Sequence, residues 1–141
     1  MKNTTFDEIK DKFYSLIITG EALPDALVDE WLDSAIGEYE LEVTKLPITT
    51  NIKYVDGEKQ EIKQFATCLS SAQKSLLGRY MQRAFITREL SRFSKVTGID
   101  SKDEKVSGLQ ATKITLRAEL TFAETAIAEL VSKLKDLLDG E

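Results

Sequence analysis

Apolar positions recur along this chain at helical spacing, interrupted once by a stretch of a different kind. Phe6, Ile9, Phe13, Leu16 and Ile17 share one helix face. Thr5-Phe6-Asp7-Glu8 reads as a capping box: a threonine hydroxyl serves the first-turn amides and a glutamate reaches back. A first helix is predicted from Phe6 to about Ile18, closed by Gly20. A second begins at Pro24, whose missing amide proton costs nothing in a first turn. Its stripe is Leu27/Val28, Trp31/Leu32, Ala35/Ile36, Tyr39 and Val43, so residues 1–43 hold helices one and two.

From 44 to 69 the period changes. Pro47, the β-branched run Ile48-Thr49-Thr50 and the pair Asp56-Gly57 predict an extended loop or small β-hairpin, with helix from Gln60 onward left open. Ser70-Ser71-Ala72-Gln73 is a second capping box and opens a helix over 70–97. That helix is apolar on two sides, with Leu77, Tyr80, Met81 and Ala84 on one and Ile86, Leu90 and Phe93 on the other. A helix apolar on both sides is covered on both sides, so it is expected to be central. One face is assigned to its own domain, and Ile86, Leu90 and Phe93 are candidates for contact with a neighbouring subunit. Asp100-Ser101-Lys102-Asp103-Glu104-Lys105 reads as a solvated connector, and Ser107-Gly108-Leu109-Gln110 as a third capping box opening a last helix over 107–138. Its seam, Leu116, Leu120, Ala123, Ile127, Leu130, Leu134 and Leu137, steps by alternating fours and threes, the spacing of coiled-coil packing. Two readings stay open: an ordinary core helix, or an arm laid on another chain.

The fold class is therefore mainly α: one domain over 1–141, a bundle of about four helices with the 44–69 segment between helices two and three. A length of 141 residues suffices for a real core, and 42% hydrophobic with 30% charged residues is a globular balance. The longest apolar run, Leu16-Ile17-Ile18, is far short of a membrane span, and the N-terminus lacks the apolar stretch of a signal peptide, so a cytoplasm-like site of synthesis and no membrane partner are expected.

Composition narrows the chemistry further. With no histidine there is no Ser-His or Cys-His pair and no common zinc site, and no glycine-rich phosphate loop is found. The expectation is a protein that is not an enzyme, with no cofactor and no metal. The single cysteine, Cys68, lies among apolar neighbours and is expected to be a buried structural thiol. Asp29, Glu30 and Asp33 form a carboxylate cluster on helix two, but nothing supplies further ligands or a pocket, and a solvated helix face is the simpler reading.

Charge is segregated. Residues 13–44 carry eight acids and no base, whereas 63–97 carry seven bases (Lys63, Lys74, Arg79, Arg83, Arg88, Arg92, Lys95) and one acid, Glu89. The segments face each other within one chain or are simply solvated, or they set the register between copies in a ring, or the basic helix meets nucleic acid. A net charge of −5 and bases split between two helix faces argue against sequence-specific nucleic-acid recognition, leaving room only for non-specific contact.

The order of pieces resembles the small helical head–tail connector (adaptor) proteins of long-tailed bacteriophages. The resemblance is carried by Leu27-Val28-Asp29-Glu30-Trp31-Leu32-Asp33-Ser34-Ala35-Ile36 in the second helix, and by Phe65, Leu69, Ser70, Gln73, Lys74 and Leu77 with Met81 following. The amphipathic C-terminal helix after a polar connector containing Ser107 adds to it. It implies a structural virion protein of the neck region, made in the host cytoplasm. Such a protein forms a ring of identical subunits, commonly a dodecamer, that docks on the portal protein and extends the channel for packaged double-stranded DNA. The ring presents a surface to a head-completion or tail-terminator protein. The family carries no catalytic residues. In a ring, Arg79, Arg83, Arg88 and Arg92 would meet Asp29, Glu30 and Asp33 of a neighbour or line the channel. The alternative is a small cytoplasmic helical regulator or adaptor that binds one protein partner through its C-terminal helix.

Overall fold

The computed structural model describes residues 2–17, 22–97 and 104–139. In order they form α1 (Phe6–Leu16), α2 (Asp25–Glu42), β1 (Ile48–Val55), β2 (Glu58–Phe65), α3 (Ser71–Thr97) and α4 (Glu104–Asp139). The mainly helical class, the four helices and a two-stranded antiparallel hairpin between helices two and three are as the sequence predicts.

Two of the three capping boxes form. The Glu8 amide donates to Thr5 Oγ1 at 3.3 Å and the Thr5 amide to Glu8 Oε2 at 2.7 Å. Ser70 and Gln73 repeat the exchange at the head of α3, at 2.8 and 3.2 Å. The third is a correction: α4 starts at Glu104, so Ser107 and Gly108 lie inside the helix rather than before it, and Glu104 and Lys105 leave the connector. Pro24 is the residue before α2, its carbonyl accepting from the Leu27 and Val28 amides. The closure at Gly20 and connector residues 98–103 lie outside the described residues.

α3 is the axis of the molecule and packs against α1, α2 and α4. Its first face buries Leu76, Leu77, Tyr80 and Met81 against Ile9, Phe13, Val28, Leu32, Ala35 and Tyr39. At the centre Phe13, Trp31 and Phe85 meet edge to face, with centroids 5.8 to 6.2 Å apart, an arrangement that suits the ring quadrupoles. α1 crosses α3 closely at Gly78, where an added Cβ would stand 3.0 Å from Lys12 Cγ and 3.4 Å from Leu16 Cδ1.

Part of the second face of α3 lies under α4, which corrects the assignment of Ile86 to a neighbouring subunit while Leu90 and Phe93 are half-buried. Ile86 is 1% exposed, and Ala123, Ile127 and Leu134 of the α4 seam are buried in the same core. Leu116, Leu120, Leu130 and Leu90 pack against that core half-buried. The regular seam therefore belongs to an intramolecular helix pair. At 36 residues against 27, α4 is longer by about 13 Å at 1.5 Å per residue. Leu137 and Leu138 near its end stay 61% and 44% exposed.

The hairpin turns at Asp56-Gly57, with φ of 53° and 79°, the two left-handed residues that a tight type I′ turn requires. Its base is tied to the N-terminal segment. The Phe65 amide donates to the Thr4 carbonyl at 2.9 Å, the Thr4 amide to the Thr67 carbonyl at 3.1 Å, and the Leu69 amide to the buried Thr4 Oγ1 at 2.8 Å. Phe65 packs on Phe6 with centroids 5.0 Å apart. Beyond that base the ribbon leaves the helices, and residues 50–61 are all exposed.

Candidate interaction surfaces

The acidic and basic segments do meet, within one chain. Arg83 of α3 pairs with Glu38 of α2, and its guanidinium lies 5.3 Å from the Tyr80 ring centroid. The Tyr80 hydroxyl donates to Glu42 Oε2 at 2.5 Å. Burial first, and then this hydrogen bond and the negative charges of Glu42 and Glu38, hold the phenol far above its ordinary range. Gln73 Nε2 donates to the Tyr39 hydroxyl at 2.9 Å, and burial raises the Tyr39 phenol as well. The seam between α2 and α3 is thus a ladder of polar contacts over an apolar floor.

The other predicted charges are dispersed. Asp29 pairs with Lys10 of α1, and that bond, opposed by partial burial, raises the Lys10 ammonium. Glu30 and Asp33 are exposed on α2. Arg79 Nη1 donates to Gln82 Oε1 at 2.9 Å, with its guanidinium 5.4 Å from the centroid of Phe122 on α4. Gln82 in turn donates to the Leu16 carbonyl at 3.2 Å, capping the end of α1. Arg88 and Arg92 both meet Glu89, at 3.4 and 3.2 Å. The structure does not gather the four arginines and three acids into one site.

Between the end of α1, α3 and the first half of α4 runs a groove of about 1000 Å³. Leu16, Leu23, Phe85, Phe93, Leu116 and Phe122 supply its apolar walls, with Arg79, Glu89, Arg92 and Glu119 among its other lining residues. Phe93, assigned from sequence to a subunit contact, is half-buried there. Phe122 is 64% exposed. Sequence periodicity gave no signal for this groove, because it forms between three helices, where α1 ends at Leu16 beside the α3–α4 pair.

Trp31 is buried at 9% exposure, as a core position should be. Cys68 is exposed, which corrects the expectation of a buried thiol. It follows the hairpin base, where Phe65 and Leu69 turn inward and Cys68 points away. Among the described residues no group of three or more His, Cys, Asp or Glu side chains is placed to hold a metal ion. No described helix is long and apolar enough to cross a membrane. No family model matches the chain, and no curated protein or solved structure shows significant similarity to it.

Proposed function

We propose that this chain is a self-associating structural subunit that works by binding protein surfaces, of the phage head–tail connector kind its sequence resembles. The observation that carries this reading is the uncovered hairpin. An isolated two-stranded ribbon is marginally stable in water, yet this one extends away from the helices with Ile52, Tyr54 and Val55 at 47%, 73% and 47% exposure. Exposed Ile114, Phe122, Leu137 and Leu138 on α4 add further apolar surface. In the proposed assembly the subunit joins copies of itself, the portal protein and a head-completion or tail protein, and its outward arginines tolerate passing DNA.

Arg83 is occupied by Glu38 of its own chain and Ile86 lies in its own core, so neither joins subunits in the proposed assembly. The alternative, capture of one partner by the C-terminal helix, would use the exposed Ile114, Phe122, Leu137 and Leu138, since Ala123, Ile127 and Leu134 face inward. Light scattering over a concentration series, followed by negative-stain microscopy with and without a portal ring, tests the proposal. Closed rings are expected. A monomer at every concentration, unchanged by the portal, overturns it.

A further inference from the structure

The hairpin has two edges, and they are not alike. The Ala66 amide donates to the Pro47 carbonyl at 2.9 Å, so 47 and 66 are a hydrogen-bonded pair. Alternation along an antiparallel ladder then makes Thr49/Gln64, Asn51/Ile62, Lys53/Gln60 and Val55/Glu58 the bonded pairs. It follows that Thr50, Ile52 and Tyr54 of β1, and Lys59, Glu61 and Lys63 of β2, turn their own amides and carbonyls away from the hairpin. The bond from the Phe65 amide to Thr4 agrees with this alternation and covers the base of the β2 edge. The described sheet has two strands only, and residues 50–61 are exposed, so both outer edges beyond that base are open.

Edges that must remain single are blunted by proline, bulges or several lysines. β1 has no proline, pairs residue for residue without a bulge, and carries one charge, Lys53, among β-branched and aromatic residues. β2 carries Glu58, Lys59, Glu61 and Lys63. If two β1 strands pair with each other, both Lys53 ammoniums fall on one sheet face and the new seam brings no acid. If β1 pairs with β2 of another copy, antiparallel and staggered by two residues from the internal register, Lys53 stands opposite Glu58. Ile52 then stands opposite Lys59, and no like charges oppose one another.

We infer that β1 of one copy adds to the outer edge of β2 in the next, building an intermolecular antiparallel sheet head to tail. This rests on the self-associating subunit proposed above and names the contact that propagates it. A contact between two different edges generates a ring where the rotation closes, whereas a contact of one edge with itself stops at a pair.

The test uses the full chain and two variants, Ile52→Pro and Glu61→Pro. Each removes an outward amide and leaves the internal ladder bonds in place, and circular dichroism checks that the helices are unchanged. Light scattering should find each variant monomeric and their equimolar mixture forming a heterodimer, since the mixture holds one intact β1 edge and one intact β2 edge. In the wild type, amide exchange at Thr50, Ile52 and Tyr54 should slow by at least about tenfold on assembly, a readout that needs no substitution. Four results overturn the inference. Glu61→Pro assembling alone while Ile52→Pro does not indicates β1 pairing with itself. Both variants assembling like the wild type, a mixture that stays monomeric, or unprotected amides in an assembled wild type exclude edge pairing while self-association stands. A wild type that never assembles removes the proposed function itself.

Discussion

Thr4 is a small polar residue sealed into the base of the hairpin, 1% exposed, and its hydroxyl accepts from the Leu69 amide. Thr4→Val keeps the shape and removes the acceptor, leaving a buried N–H unpaired. Urea unfolding should register a loss of about 1–3 kcal/mol. Phe13 is the hub of the aromatic cluster, and Phe13→Ala should cost about 3–5 kcal/mol by the same measurement. Tyr80 and Tyr39 have an alkaline consequence. Their folded phenols titrate above the ordinary value of 10, so both states are protonated below that pH and their contribution is intact. Above about pH 10 the unfolded chain ionises first and stability falls. Thermal melts from pH 8 to 11 should show this decline, and Tyr80→Phe should flatten it. Arg83 and Glu38 are half-exposed, so reversing either charge should cost no more than about 1 kcal/mol, and reversing both should restore it. If the chain assembles as proposed, self-association should be unchanged in all three variants, because the pair lies within one chain.

At the scale of elements, what the sequence makes legible is what local chemistry decides. The capping residues Thr5 and Ser70, the turn pair Asp56-Gly57 and the stripe through Trp31 and Tyr39 each act within a few residues of themselves, and each element stands where they put it. Ser107 misleads for the opposite reason. A serine followed three residues later by glutamine carries the capping pattern, but α4 has already begun at Glu104, and a pattern alone does not exclude an earlier start. Ile86 shows a second kind of limit. Periodicity reports that a face is apolar, not which chain covers it, and here α4 of the same chain does so. Cys68 lies in the irregular stretch between two inward anchors, Phe65 and Leu69, where neighbours in sequence say little about direction. Gly57→Ala at φ 79° should loosen the turn by about 1 kcal/mol, visible as faster amide exchange in β1 and β2 with the helical melting temperature unchanged.

Over the whole molecule, the helices share one core and the tip of the ribbon stands outside it. The bundle takes its stability from α3, which every other helix touches, and the ribbon adds little to that core beyond Leu46, Phe65 and Leu69 at its root. Removing the ribbon tip, residues 50–61, should therefore leave the helical melt within a few degrees of the wild type and, if copies join through the ribbon as proposed, abolish self-association. Calorimetry and light scattering on the same sample separate the two effects.

The close crossing at Gly78 has a mechanical corollary. α1 begins one residue after Thr5, and Thr4 is bonded to the root of the ribbon, so a displacement of α1 is passed on to the ribbon through Thr4. The missing side chain of Gly78 leaves the space that Lys12 and Leu16 of α1 occupy. Filling it with leucine presses on Lys12 and Leu16, costs about 1–3 kcal/mol, and shifts the ribbon by way of Thr4. Distances measured between spin labels on the ribbon tip and α4 should shift in Gly78→Leu, although the substituted position lies far along the chain from either label.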